Sequence, residues 1–247
     1  LTCGGGSGPE VGRGGISFAE LEQIESYLDG HPEIREVIIS GGDPLTLDDE
    51  RLFETVRGAA GRGASGPLRR TVRIASRMPV VAPARVTPKF ARGLRTAGAA
   101  WFVTQFNHPA ELTEEATAAT GRLIDAGIPV LNQAVLLKGI NDRAEILAEL
   151  FTGLVNARIK PYYLFQGDLA AGTSHLRVNL ERGFGIVREL RSFVSGLAMP
   201  VYAVDLPEGG GKIPLYDRSI TGREREGEGE WYILEDAAGK RFRYPAE

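Results

Sequence analysis

The chain has 247 residues, 43% hydrophobic and 25% charged, enough for one sizeable globular domain. A net charge of −3 argues against nucleic acid or an anionic membrane as a partner, and no apolar run is long enough to span a bilayer. A single cysteine excludes an internal disulfide framework and, with no signal peptide read ahead of the folded pattern, predicts a reducing, cytoplasmic setting; because residue 1 is leucine, a fragment or a processed chain is expected.

In chain order, Ser17 and Glu20 have the spacing of a capping box, and Phe18, Leu21, Ile24 and Leu28 follow at helical intervals. Glu36–Ser40 (EVIIS) reads as a short apolar strand. Thr71–Ala75 (TVRIA), Trp101–Phe106 (WFVTQF), Pro129–Leu136 (PVLNQAVL), Lys160–Phe165 (KPYYLF) and Pro200–Asp205 (PVYAVD) repeat that texture. Helical faces lie between them. Leu112, Ala116, Ala119, Leu123 and Ile124 form one, opened by Thr113 with Glu114 and Glu115 in the first turn. Ile146, Leu147, Leu150, Phe151 and Leu154 form another, entered from Asn141-Asp142, and Phe184, Val187, Leu190 and Val194 form a third.

Strand and helix alternating through six units predict an α/β fold with parallel strands and right-handed crossovers. Six units do not complete an eightfold barrel, so the expected architecture is a partial (βα)6 TIM-like barrel, with a doubly wound open sheet as the alternative. Beyond it, Gly222–Gly229 reads as a mobile, charged, glycine-rich loop, and Glu230–Leu234 with Lys240–Tyr244 as a β-hairpin extension.

The uncommon polar residues cluster just after the strands. They include Ser40-Gly41-Gly42-Asp43, Ser76-Arg77, Gln105 to His108, Asn132-Gln133, Gln166-Gly167-Asp168, Asp205, and Lys212 after three glycines. In parallel α/β sheets, ligands sit at the carboxyl ends of the strands, so these loops are expected to form one pocket. Each residue also has a plainer reading. Gly41-Gly42 suits a tight turn, His108 before Pro109 a helix cap, His175 a surface position, Asp168 a turn and Lys212 a solvated loop. Asp205 is harder to dismiss, because a buried carboxylate needs a partner.

Several stretches together resemble the lysine 2,3-aminomutase family. They are SGGDPL at Ser40–Leu45, RMPVVAPARVT at Arg77–Thr87, TQFNHPAELT at Thr104–Thr113, LNQAVLLKGIND at Leu131–Asp142, KPYYLFQGDLAAGTSH at Lys160–His175 and VDLPEGGGKIPL at Val204–Leu215. The resemblance runs in order over nearly the whole chain after Val11. It implies a radical S-adenosylmethionine (SAM) enzyme that uses a [4Fe–4S] cluster, SAM and pyridoxal 5′-phosphate (PLP) to move an amino group from the α- to the β-carbon of an amino acid. It implies that Lys212 forms the PLP imine and that Gly41, Gly42 and Asp43 meet the SAM amino group. Ser76 and Gln133 fall at cofactor positions, and Asp168 and Asp205 match the carboxylates that hold a lysine ε-ammonium. Paired carboxylates favour a cationic side chain over glutamate. A small-molecule amino-acid substrate and an external electron donor for the cluster follow, and a homo-oligomer stays open.

One departure matters. The family's three-cysteine motif precedes the first amphipathic helix, where this chain reads Leu1-Thr2-Cys3-Gly4-Gly5-Gly6-Ser7-Gly8. One thiolate does not hold a cluster that needs three. Residues 1–15 therefore read as a remnant of the cluster-binding region, 16–215 as the partial barrel and 216–247 as the tail. Truncation or a reading-frame slip, an engineered linker, and natural loss each account for the change. The chain as written is expected not to make the radical. A PLP- and SAM-binding protein without radical chemistry, and a cluster-free PLP reaction such as racemisation, are the rival readings.

Overall fold

A computed structural model of the chain describes residues 17–61, 70–168, 172–206, 211–216, 220–226, 229–235 and 241–245. The expected remnant at 1–15, with Cys3, lies outside the described residues. The helices are α1 (Phe18–Gly30), α2 (Asp49–Ala60), α3 (Met78–Val81), α4 (Pro88–Ala97), α5 (Glu114–Asp125), α6 (Ala144–Asn156) and α7 (Leu180–Leu190). The strands are β1 (Glu36–Ile39), β2 (Thr71–Ala75), β3 (Ala99–Thr104), β4 (Val130–Leu136), β5 (Lys160–Gln166), β6 (Val201–Leu206), β7 (Gly211–Pro214), β8 (Ile220–Glu226), β9 (Gly229–Glu235) and β10 (Arg241–Pro245).

Strands β1 to β7 follow one another in sheet order as they do in sequence. The β1–β2, β2–β3, β3–β4 and β5–β6 pairs are parallel. A doubly wound sheet reverses its strand order at a switch point; this sheet does not, so the partial-barrel topology holds over the open-sheet alternative. The seventh strand, β7, pairs antiparallel to β6, an addition within a segment that the sequence presents as a glycine-rich loop.

The helices start where local chemistry places them. Ser17 caps α1 and its backbone N–H donates to Glu20 at 2.7 Å, completing the capping box. Thr113 caps α5 by accepting from the Ala116 N–H. Asp48, Thr87 and Asn179 do the same for α2, α4 and α7. Gly61 and Gly98 end α2 and α4 in the left-handed region, at φ 63° and 118°. Helix α6 begins at Ala144, two residues after the Asn141-Asp142 entry, and α7 stops at Leu190, leaving Val194 beyond it.

Contacts divide the chain into two compact units. The first comprises Leu1–Phe106, Ala110–Gln133 and Leu154–Lys160. Its core is built from Leu52, Val56, Val72, Ile74, Phe90, Leu94, Phe102 and Leu123, each fully buried. The second comprises Asn107–Pro109, Ala134–Gly153 and Pro161–Glu247. Leu136, Leu147, Leu150, Phe151, Leu164, Ile186 and Leu190 form its core.

The tail corrects one expectation. The predicted hairpin is present as β9 and β10, but Gly222–Glu226 of the segment read as a mobile loop lies in β8, paired antiparallel with β9 in a three-stranded sheet. Its alternating charges disguise it, because the backbone register that sets it against β9 is not recorded in the segment alone.

Candidate functional site

In the first unit the site residues gather around Asp43, just beyond the carboxyl end of β1. Its Oδ1 accepts from the Leu45 N–H at 3.0 Å and from the Ser76 hydroxyl at 2.7 Å. Its Oδ2 accepts from the Arg77 N–H at 2.9 Å. Ser76 Oγ in turn accepts from the Met78 N–H at 3.0 Å. The Arg77 guanidinium reaches Glu111 at 2.6 Å. The loops after β1 and β2 are thereby tied by one carboxylate, whose charge strengthens each hydrogen bond it accepts.

Gly41 adopts φ 122°, a conformation that suits glycine, and both Gly41 and Gly42 are exposed. A methyl group built on either would meet nothing within 4 Å. Space beside their α-carbons is therefore open, while the Asp43 carboxylate is engaged with protein donors. Gln133, on β4, is half-buried; Asn132 beside it is fully buried. Successive side chains on a strand point to opposite faces. Asn132 accordingly turns inward, accepting from the Phe106 N–H at 2.7 Å and donating to the Phe106 carbonyl at 3.1 Å.

In the second unit Asp205 and Lys212 come together, and Asp168 lies within their electrostatic field. Antiparallel pairing sets Asp205 directly opposite Lys212. The Lys212 Nζ lies 2.9 Å from Asp205 Oδ1 and 3.0 Å from Oδ2, so the ammonium is shared by both oxygens. The two side chains are 31% and 29% exposed, open to a ligand yet partly shielded from water. Nζ also sits 3.7 Å from the ring centroid of Phe165 and 5.3 Å from that of Tyr163.

These contacts follow from register. Tyr163 and Phe165 are two residues apart on β5 and share a face, their rings stacked at 5.1 Å. Phe165 pairs with Ala203, and Asp205 lies two residues further along β6 on that same face. Asp168 stands two residues past the end of β5. Burial raises its carboxyl above the usual range, Asp205 adds to the rise and Lys212 opposes it, so the three groups share one field.

The structure thus brings Asp43 to Ser76 and Lys212 to Asp205, with Asp168 in the field of that pair. Phe165 and Tyr163 are site residues that the sequence reading passes over as strand apolars; their i, i+2 spacing is the signal that puts both rings on one face. Gln166, beside Asp168 in sequence, turns out to be a packing residue. It is buried, accepts the Tyr202 hydroxyl at 2.6 Å and donates to the Val178 carbonyl. His175 is exposed. Among the described residues, no three His, Cys, Asp or Glu side chains are grouped to hold a metal ion. No helix among them is long and apolar enough to cross a membrane.

No protein-family model matches the chain. It is 41% identical over 202 residues to L-lysine 2,3-aminomutase of Acetoanaerobium sticklandii, covering 81% of this chain and 48% of that protein. It is 39% identical over 230 residues to a putative L-lysine 2,3-aminomutase of Treponema pallidum, covering 89% of this chain and 64% of that protein. It is 37% identical over 207 residues to glutamate 2,3-aminomutase of Clostridioides difficile, covering 84% and 48%. The chain spans about half the length of the curated relatives it matches. Among solved structures, a radical SAM methyltransferase from Sphaerobacter thermophilus aligns with TM-score 0.52 at 15% identity, over 75% of this chain and 57% of that one. SuiB of Streptococcus suis aligns with TM-score 0.53 at 12% identity, over 76% and 44%. At such identities the likeness is one of fold.

Proposed function

Because the chain is a relative of the lysine 2,3-aminomutases over four fifths of its length, we propose that it carries the cofactor- and substrate-holding part of an amino-acid 2,3-aminomutase. The reaction would move an amino group from the α- to the β-carbon of lysine or a related amino acid. The observation that carries this reading is the Lys212 amine held between both oxygens of Asp205, with a second carboxylate, Asp168, at the end of the adjacent strand and within their electrostatic field.

The residues present suit PLP. Lys212 offers a partly exposed primary amine next to an aromatic face. Bound there, PLP supplies an aldehyde for an amine to condense with and a ring that draws off electrons. Lys212 would hold it, and Phe165 would shield the nitrogen from water. Asp168 and Asp205 would then orient the substrate by its side-chain ammonium, which favours lysine over glutamate, although relatives are named for both.

The residues also suit the amino end of SAM. Asp43 accepts from three protein donors and keeps lone-pair capacity for one more, so Gly41, Gly42 and Asp43 together would meet an ammonium group. Ser76 acts through Asp43, and Gln133 presents an amide from β4.

The iron–sulfur cluster does not fit. Cys3 is the one cysteine in these 247 residues, which by themselves do not supply the three thiolates such a cluster takes. No step through it is assigned to these residues, and by itself the chain is read as not forming the radical. The second reading is a PLP- and SAM-binding protein without radical turnover. A cytoplasmic location, with its reduced thiols and electron donors, goes with the first.

Incubation with PLP, reduction with borohydride and peptide mapping test the proposal. A phosphopyridoxyl group on Lys212 is expected, and label confined to other lysines rules the reading out. Conversion of lysine to β-lysine under anaerobic, cluster-reconstituting conditions, set against iron content, then separates the two readings.

A further inference from the structure

The ion pair that identifies the site also obstructs it. If Asp205 is to receive a substrate cation, its carboxylate must be free; here both of its oxygens are taken by Lys212, at 2.9 and 3.0 Å. We propose that Lys212 is the internal counter-cation of the Asp205–Asp168 pair, so that departure of its nitrogen from Asp205 opens the clamp to an external alkylammonium group. The lysine that anchors the cofactor thus occupies the substrate's cation position beforehand, and cofactor attachment must precede capture of a cationic side chain. This ordering rests on the reading of Lys212 as the cofactor's anchor; the occupancy of the clamp does not.

The chemistry of the nitrogen supplies the switch. An ammonium group has three N–H donors, and two suffice to hold both Asp205 oxygens. Condensation with an aldehyde requires the ammonium to release a proton to solvent, its lone pair to add to the carbonyl carbon, and water to leave as the carbon–nitrogen double bond forms. No oxidant or reductant takes part. The nitrogen then carries at most one hydrogen and no longer bridges the two oxygens. Asp205 and Asp168, which already repel each other, are left to attract another cation. The Phe165 ring, 3.7 Å from Nζ, lines the same spot and suits an alkylammonium on its face.

Titration of the 247-residue chain with 1,5-diaminopentane, without PLP and at low salt, tests the occupancy directly. Removing the internal cation with Lys212→Met is expected to tighten diamine binding roughly tenfold, a typical size for coupling between two ligands of one site. Adding Asp205→Asn to that variant is expected to abolish the gain. Equal affinity in the wild type and Lys212→Met, or no binding in either, overturns the proposal. A second measurement uses the near-isosteric Asp205→Asn alone. Freed from its partner, Lys212 is expected to be labelled by PLP and borohydride several-fold faster than in the wild type, and an unchanged or slower rate counts against the proposal. If no variant is labelled at Lys212, the cofactor reading fails, and the diamine titrations still decide whether Lys212 fills the clamp.

Discussion

The Ser76 hydroxyl donates a 2.7 Å hydrogen bond to Oδ1 of Asp43, thirty-three residues earlier in the chain, and so joins the loops that follow two paired strands. The Arg77 N–H donates to the other oxygen at 2.9 Å. Asp43→Asn places an amide nitrogen against a donor on one side or the other. It is expected to cost about 1–3 kcal/mol, the range for a hydrogen bond lost from a charged acceptor. Urea denaturation reads the cost, and SAM binding is expected to weaken with it as the Gly41–Gly42 backbone loses its anchor. A variant with wild-type values in both measurements would show that the loops hold their shape without this carboxylate.

Helix α7 lies against β6 through a glycine. A Cβ at Gly183 would fall 2.0 Å from the Tyr202 hydroxyl, which is itself bonded to Gln166 at 2.6 Å. Gly183→Ala is expected to destabilise by about 1–3 kcal/mol through overpacking. Tyr202→Phe in that background removes the clashing oxygen and is expected to recover part of the loss, so a double-mutant cycle checks the contact. Additive effects of the two substitutions would mean that the hydroxyl is not what Gly183 accommodates.

Asn141 is fully buried, and its side chain makes three hydrogen bonds among the described residues. It accepts from the Leu137 N–H at 2.7 Å and donates to the carbonyls of Asn107 at 2.7 Å and Val135 at 2.8 Å. Asn107 meanwhile accepts from the Val135 N–H at 2.8 Å. Asn141→Ala leaves these backbone groups unpaired away from water, at an expected cost of about 2–3 kcal/mol. Asn141→Asp restores the acceptor but not the donors and is expected to recover little. A shift in thermal midpoint no larger than that of an exposed substitution contradicts this account.

Asp168 imposes a pH dependence of known sign. Its pKa is raised from 3.8, chiefly by burial and then by Asp205, with Lys212 opposing. An acid with a higher pKa in the folded state binds its proton more tightly there. It therefore favours the fold at low pH, and that contribution fades as pH rises from 3.8 through the folded value. Asp168→Asn lacks the dependence, so the stability of this variant relative to wild type is expected to increase over the window just above pH 3.8 and then level off. Paired denaturation curves across that window measure it, and a difference that is flat or falls with pH contradicts the assignment.

Much of the fold is legible in the order of the residues. Glu36–Ile39, Thr71–Ala75, Val130–Leu136 and Val201–Leu206 lie within a residue or two of the strands that apolar, β-branched runs predict. The capping box at Ser17 and the Thr113 cap are legible for the same reason, because a helix start is decided by residues three positions apart. The placement of Asp43, Ser76 and Asp168 just past strand ends is likewise a property of chain order.

What the chain alone determined, then, was where its strands and helices fall, because periodicity and capping are local. What only the tertiary structure decided was who faces whom. Asp205 meets Lys212 because Gly211–Pro214 folds back antiparallel on β6, and Asp43 meets Ser76 because β1 and β2 run side by side. The charged segment Ile220–Glu226 became a strand for the same reason, through its pairing with Gly229–Glu235. Register belongs to two strands at once, and a one-residue slip turns every side chain to the other face, so no single segment records its partner.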